Sequence, residues 1–436
     1  MGRCRWHGPG LWAATLLLAA GAGAAPGGSL GPFQWDLRDG LYYDDPARDF
    51  RLDLDGRFAF DVLQWDDRNA RSRQFRVDRT LLGVSARLGR YQDARIVFDL
   101  DGIDTRGNLW EAWTSISPGP WARVSVGLLP VVFGMEQTLG EAASPLPGYQ
   151  GFPVFLTSRH DWAVRLDGEV LDGHLYYELV GALGEGYDLF GQARGDPMIA
   201  GRLTAFPLGF LDTSVDLGPY TIPLFSGWFA NFAYAVSPGD YDAQLDVATP
   251  LRNKVFDTGR LDGEGASFWV LSYGVDLGPV RAFHEITRGS IDDVRIPGGT
   301  RQDFDDQITS WQAVVSWRVT GEPYDSRPFG RRDALRFDAP ARPLDGEGDA
   351  KGWGMLELAF RYANADIDRD FFTTGITRPT VSSQEFRQAT AAVSWYPTAS
   401  LRVSAMVVRI IADQRPWVFD SHGRDTSGLL RFELVF

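Results

Sequence analysis

From Arg51 to its last residue the chain alternates apolar and polar positions with a period of two. In 51–63, Leu52, Leu54, Phe58, Phe60 and Val62 share one face with Gly56, while Arg51, Asp53, Asp55, Arg57 and Asp61 share the other. In 91–100, Ala94, Ile96, Phe98 and Leu100 oppose Asp93, Arg95 and Asp99. In 311–319, Trp311, Ala313, Val315, Trp317 and Val319 oppose Gln312, Ser316 and Arg318. In 353–363, Leu356, Leu358, Phe360 and Tyr362 oppose Glu357 and Arg361. Successive side chains of a strand point to opposite faces, so each segment reads as a strand with one wet side. Weaker versions of the pattern predict strands at 75–88, 109–116, 123–128, 162–166, 175–180, 200–206, 225–236, 267–277, 280–287, 386–396 and 401–411. No stretch predicts an amphipathic helix of three turns.

The last segment, 430–436, has the same form. Leu430, Phe432, Leu434 and Phe436 share one face, and Arg431, Glu433 and Val435 share the other. A bare aromatic carboxyl terminus behind three stacked apolar residues is unusual for a soluble sheet and suits the strand on which an outer-membrane barrel closes. Phe432, Leu434 and Phe436 are therefore read as an assembly signal for the barrel-assembly machinery.

The connections point the same way. Short turns such as Ser117-Pro118-Gly119-Pro120 and Asp276-Leu277-Gly278-Pro279 alternate with long polar stretches at 289–306, 321–351 and 366–383. Short turns on one side and long loops on the other are the asymmetry of a transmembrane antiparallel β-barrel. Lipid satisfies no backbone N–H or C=O, so a spanning sheet must have no free edge. About sixteen strands are expected, which allots about 26 residues to each strand with its connection; fourteen or eighteen would fit nearly as well.

The N-terminus supplies the compartment. Arg3 and Arg5 precede an apolar run from Leu11 to Ala20, and Ala22-Gly23-Ala24 follows. That order is a secretory signal peptide over 1–24, followed by an N-terminal segment over 25–50 and the barrel over 51–436. The apolar run is about half the ~20 residues a membrane helix needs. Cys4, the one cysteine, leaves with the signal, so a disulfide scaffold, a thiolate metal site and a cysteine nucleophile are all excluded from the mature chain.

Composition refines this picture. The formal charge is -14, two units more negative once Arg3 and Arg5 are removed, which disfavours nucleic acid as a partner. Lys254 and Lys351 are the only lysines, so nearly all positive charge is arginine. Fifteen tryptophans and 13% aromatics suit the girdles of a barrel, although a soluble carbohydrate binder would share that figure. The wet faces carry Asp, Glu and Arg rather than Val and Leu, which predicts a hydrated interior. Outer-membrane lipid is the expected partner outside it.

At 127–136 the chain reads GLLPVVFGME, after the strand WARVSV and the segment LWEAWTSI. These residues resemble the phosphate-selective porin O and P family, with Gly127, Phe133, Gly134 and Glu136 at matching positions and Glu111-Ala112-Trp113 before them. TGEPYDSRPFGR from Thr320, GWGMLELAFRYANAD from Gly352, SWYPTASLRVSAMVVR from Ser394 and the closing LLRFELVF follow in the family's order. The resemblance implies a sixteen-stranded, homotrimeric outer-membrane porin, with a loop over about 130–158 folded into the pore. Phe133, Gly134 and Glu136 become constriction-loop candidates. The expected function is passive diffusion of small hydrophilic solutes, phosphate or other anions among them.

The departures bear on selectivity. The family's Lys and Glu in this run fall on Pro130 and Val131, and two lysines cannot form lysine clusters. An arginine ladder could serve instead, because guanidinium binds phosphate bidentately. Arg51, Arg57, Arg79, Arg87, Arg95, Arg165, Arg318 and Arg361 fall on the wet faces as pore-lining candidates, with Glu111 and Glu357. Asp53, Asp55, Asp61, Asp93 and Asp99 lie on the same faces. So mixed a lining fits a weakly selective pore, or one adapted to a solute such as a sugar.

Other chemistry is poorly supported. Asp99, Asp101, Asp104 and Asn108 lack the spacing of an EF-hand loop, and no metal or cofactor is expected. An outer-membrane hydrolase would need a nucleophile and base in reach. Ser158-Arg159-His160-Asp161 and Ser421-His422 place those types together, but no G-x-S-x-G elbow is present and no catalytic residue is assigned. A closed or structural barrel is the remaining alternative.

Overall fold

The computed structural model describes residues 28–30, 33–36, 40–65, 73–100, 109–131, 133–146, 160–183, 197–211, 213–217, 220–239, 244–248, 254–297, 299–324, 337–344, 346, 351–380, 382–414 and 423–436. Residues 1–24, read as a signal peptide, and Asp101, Asp104, Asn108, Ser158, Ser421 and His422 lie outside them.

Three short strands come first: β1 (Gly28–Leu30), β2 (Phe33–Asp36) and β3 (Gly40–Asp45). Eight long ones follow: β4 (Phe50–Trp65), β5 (Arg73–Leu88), β6 (Gln92–Asp99), β7 (Leu109–Gly119), β8 (Ala122–Pro130), β9 (His160–Val170), β10 (Leu175–Ala182) and β11 (Met198–Ala205). A small hairpin, β12 (Ser214–Leu217) and β13 (Tyr220–Pro223), precedes β14 (Trp228–Ser237); a second, β15 (Gln244–Ala248) and β16 (Lys254–Arg260), follows it. The chain ends with β17 (Gly265–Leu277), β18 (Val280–Arg295), β19 (Arg301–Arg318), β20 (Met355–Ile367), β21 (Glu385–Tyr396), β22 (Leu401–Ala412) and β23 (Arg424–Val435). The helices are α1 (Met135–Ala143), between β8 and β9, and α2 (Asp370–Thr373), between β20 and β21.

Strands β4–β11, β14 and β17–β23 pair antiparallel in succession, and β23 returns to β4. The sheet is therefore a closed barrel of sixteen strands. Each of them overlaps one of the segments whose alternation predicted a strand.

The faces of this sheet are inverted relative to a soluble domain. Val84, Ile96, Val126, Val164, Phe232, Val315, Phe360 and Val407 are exposed on the outside, whereas Arg165, Arg202, Glu285, Gln312, Arg361 and Glu433 are buried within. An apolar band facing outward around charged interior positions requires an apolar solvent, and lipid is that solvent. Trp121, Trp228, Trp317 and Trp395 stand exposed beside the short turns, at the level where an aromatic girdle meets the membrane surface. Among the described residues no helix is long and apolar enough to cross a membrane.

The seam between first and last barrel strands carries the densest ionic network. Ser427–Val435 pairs with 57–65, and Phe436 continues the ladder: its N–H donates to the Gly56 carbonyl at 3.1 Å, and the Gly56 N–H donates to the Phe436 carbonyl at 3.0 Å. A side chain at position 56 would run into the Phe436 ring, so glycine allows the terminal aromatic to lie flat on the strand. Inside, Arg431 faces Asp61 in register and donates to both its oxygens, at 2.6 and 2.7 Å. Arg431 and Arg76 also share Asp78, and Arg57 and Arg402 share Glu433. Asp78 reaches this network because β5 carries a bulge: Ala59 pairs with Arg79 and Phe60 with Val77, leaving Asp78 as the extra residue.

Strand β3 occupies the remainder of the β4 edge, with Leu41–Asp45 pairing to 50–54, so it continues end-on from β23. Strands β2 and β1 pair outward from it.

Two connections differ from the sequence reading. The stretch 289–306, expected as a long loop, is mostly ladder: β18 runs to Arg295 and β19 begins at Arg301, with register shifts after Gly289 and Ile291. Its inward Ile291, Val294 and Phe304 pack with Phe371 of α2, so burial inside the loop cluster sustains the strands where no lipid-facing pattern marks them. The long stretch 321–351 falls on the short-turn side, between β19 and β20, against the simple asymmetry.

The seam network yields a stability prediction. Asp61→Asn leaves the buried Arg431 guanidinium with only Asp78, which Arg76 also uses, and should cost about 1–3 kcal/mol, read as a lower guanidinium chloride midpoint for the refolded barrel. Pairing Arg431→Met with Asp61→Leu should recover most of that loss, because Arg76 still neutralises Asp78.

Candidate functional site

The interior is divided by α1. Chain leaving β8 at Pro130 turns inward rather than over the rim, and Val131, Phe133 and Met135 are fully buried. The Gln137 side-chain oxygen accepts the Phe133 N–H at 2.9 Å, satisfying a backbone donor beside the helix start. Pro145, just beyond Ala143, prevents the helix from continuing.

Helix α1 is pinned to one wall by contacts from successive strands. The Met135 N–H donates to Glu285 of β18 at 2.5 Å. Gly134 approaches so closely that a Cβ there would sit 2.5 Å from the Glu285 carboxylate, which is why this position is glycine. Glu136 accepts from Gln312 of β19 at 2.9 Å and pairs with Arg361 of β20. Thr138 takes a hydrogen bond from Arg202 of β11, Asn231 of β14 donates to the Phe133 carbonyl at 3.0 Å, and Arg402 of β22 donates to the Ser144 carbonyl at 3.0 Å. Phe133 meets Phe268 edge-on at 4.7 Å.

The wall behind this segment is lined by small and apolar inward residues. Ala359, Ala363, Ala392, Met406, Val408 and Ile410 form one buried cluster with Met135, Leu139 and Leu146. Their small volume makes room for the inward chain, and apolar burial holds it there. The interior expected to be hydrated is thus two-sided: one side of the lumen is dry core, and the opposite side is charged.

The charged side runs over β4–β9. Arg79 donates to Asp99 at 3.2 Å and lies 4.5 Å over the Trp110 ring. Trp110 packs 4.4 Å from His160. Glu111 gathers Arg95 and His160, each at 3.5 Å, and accepts from the Trp113 indole at 3.2 Å. Arg95 also holds Asp55 at 2.7 Å. Arg123 and Arg165 share Asp167.

Of the other pore-lining candidates, Arg57 belongs to the buried seam and Arg361 to the α1 anchor. Arg51 and Arg87 face each other across β4 and β5 at the turn end. There Arg51 pairs with Asp53 at 2.7 Å and Arg87 with Asp93 at 3.4 Å. They belong to the rim, because β4 continues past the barrel proper to pair with β3. Phe432 is exposed to the lipid side, and Leu434 and Phe436 are half-buried.

Arg76, Arg123, Arg202, Arg281 and Arg402 are interior arginines beyond the pore-lining candidates, and Arg431 is the polar-face arginine of the last strand. Arg202, Arg281 and Arg402 share the inward parity of their strands, so alternation alone could have found them. Arg76 could not be found by straight counting from Leu88, since the bulge at Asp78 reverses parity; the shift from Phe75 and Val77 to Leu82 and Val84 as outward residues is its trace.

At the turn-side mouth, the connection between β19 and β20 lies across the inner residues. The Tyr324 N–H donates to the Gly278 carbonyl at 2.8 Å, and its ring lies 3.9 Å from Arg318 and 4.5 Å from Arg281. Its hydroxyl donates to Glu357; burial and that carboxylate together hold the phenol above its ordinary range. Arg318 also reaches Asp338, and Phe337 packs under Arg402 at 4.7 Å and against Tyr396 at 5.7 Å. Glu357 accepts a second hydroxyl, from Tyr396, at 2.7 Å.

The comparisons agree with this architecture. The outer-membrane channel DcaP of Acinetobacter baumannii superposes with a TM-score of 0.53 at 12% identity, covering 90% of this chain and 99% of that one. OmpT of Vibrio cholerae, in its trimer form, gives 0.52 at 9% identity over 89% and 99%. An anion-selective porin from Comamonas acidovorans gives 0.50 at 12% identity over 89% and 100%. At these identities the likeness is one of fold. No curated protein matches in sequence. Residues 248–413 match the model of the phosphate-selective porin O and P family, and the barrel as a whole has the fold of outer-membrane porins.

Proposed function

We propose that this protein is a bacterial outer-membrane porin through which small hydrophilic solutes diffuse. The observation that carries this reading is the lumen: a closed barrel, apolar outside, with an inward segment anchored on one wall and a charged wall left facing it. Diffusion needs no chemistry from the protein. It needs a polar path across the hydrocarbon layer and a constriction that brings charges close to the passing solute. Phe133, Gly134 and Glu136 set that constriction by fixing α1 against β18–β20.

Strong anion preference is disfavoured by the same geometry. Arg57, Arg79, Arg95, Arg165, Arg318 and Arg361 each have a carboxylate within salt-bridge distance. A phosphate entering would compete with an acceptor already in place, so the family's phosphate selectivity is not carried over here. In the channel reading His160 is part of the charged wall, facing Glu111 and Trp110. Assembly as a homotrimer in the outer membrane, reached through an N-terminal signal and the barrel-assembly machinery, completes the proposal. A barrel closed at rest is the second reading, favoured by Tyr324 and Phe337 packed into the turn-side mouth.

Three measurements bear on this. Purified protein in a planar bilayer should give discrete conductance steps, with a reversal potential close to zero in a potassium chloride gradient; absence of steps would leave the closed barrel. Gly134→Val should push α1 off Glu285 and enlarge the conductance step, whereas an unchanged step would place the constriction elsewhere. Deleting Phe436 removes the two last rungs of the seam and should lower the yield of membrane-assembled barrel, with normal conductance from those that form. Wild-type yield of that truncation would make Phe436 an ordinary strand end.

A further inference from the structure

The interior charges differ sharply in their access to solvent. Side chains on the α1 side and along the seam are sealed: Arg361 is 1% exposed, and Arg402 and Arg431 are 0% exposed. On the wall opposite α1, Arg79 is 16% exposed, Arg95 12% and Glu111 15%. Along that wall Arg76, Arg79, Arg95 and Arg123 descend from the loop side to the turn side, each with a carboxylate partner. Helix α1 with its apolar support thus fills one part of the lumen, and the inward charges that water reaches lie on β5–β8.

The chemistry of this wall selects among solutes. An anion meets guanidinium groups that already hold a carboxylate, and a cation meets carboxylates that already hold a guanidinium. A hydroxyl group donates and accepts at once, so it can add to both members of such a pair without displacing either. Two half-buried indoles stand among the pairs: Arg79 lies over Trp110 and Trp113 donates to Glu111, and what they leave uncovered is flat apolar surface for the C–H face of a sugar ring. Building on the porin reading, we infer that the β5–β7 stretch formed by Arg79, Arg95, Trp110, Glu111 and Trp113 is a binding station for neutral polyhydroxylated solutes. The station slows such solutes beside the constriction and orients them along the wall. Arg57, Arg361, Arg402 and Arg431 hold the architecture and do not meet the solute.

Sucrose and sodium phosphate are the probes, applied to the purified full-length protein in planar bilayers. Sucrose should lower the wild-type single-channel current beyond its effect on bulk conductivity, and phosphate at equal concentration should not. Glu111→Gln and Trp110→Ala should each abolish that excess block while potassium chloride still conducts, and Arg90→Ala, in an exposed turn, should leave it as in the wild type. The isosteric Glu111→Gln decides alone should Trp110→Ala not assemble. No conductance in any variant or in the wild type defeats the porin reading itself. Conductance without sucrose block, block by phosphate instead, or a sucrose block that survives Glu111→Gln leaves that reading standing and overturns the binding station.

Discussion

Backbone N–H and C=O groups inside a hydrocarbon layer have only one another to bond, and the pairing of 427–435 with 57–65 is where this chain meets that demand. Every other feature is conditional on that closure. Without it the outward Val, Leu and Phe would still prefer lipid, but two strand edges would be left bare in it. With it, the inward parity of all sixteen strands becomes a shared interior. The salt bridges of Arg431 to Asp61 and of Arg57 and Arg402 to Glu433 then lie inside a wall that excludes both lipid and water.

The interior that results is asymmetric, and the asymmetry follows from side-chain volume. Where the inward positions are Ala, Ser, Val and Met, on β20–β22, there is space for α1, and its Met135 and Leu139 complete a dry core. Where they are Arg, Asp, Glu and Trp, on β5–β8, the wall projects into the lumen and keeps contact with water. The constriction is thus made by a soluble-type core built inside a membrane barrel, and its position is set by which strands carry small residues.

Much of this was legible in the sequence, for a physical reason: a wall wet on one side and in lipid on the other enforces strict alternation. The strands 51–63, 311–319 and 353–363 could be read from composition by parity alone. The segment around Phe133, Gly134 and Glu136 was legible through resemblance, not periodicity, because α1 is too short to show a helical repeat. The bulge at Asp78 hid Arg76, since one extra residue exchanges the faces. The extension of β18 and β19 beyond the apolar band was hidden because its outer face meets no lipid. The packing of Tyr324 and Phe337 into the turn-side mouth depends on contacts with Arg318, Arg402 and Tyr396 far away in sequence, and no local pattern announces them.

The end-on arrangement of β23 and β3 has a topological consequence. Phe436 lies opposite Gly56 and Leu41 opposite Leu54, so Gly40 occupies the place next to Asp55 that a residue after Phe436 would take. Strands β23 and β3 thus lie end to end along one edge of β4, with the break falling between Phe436 and Gly40. Each strand therefore sets a limit for the other along this edge: β3 marks how far β23 can run beside β4, and β23 marks where β3 can begin.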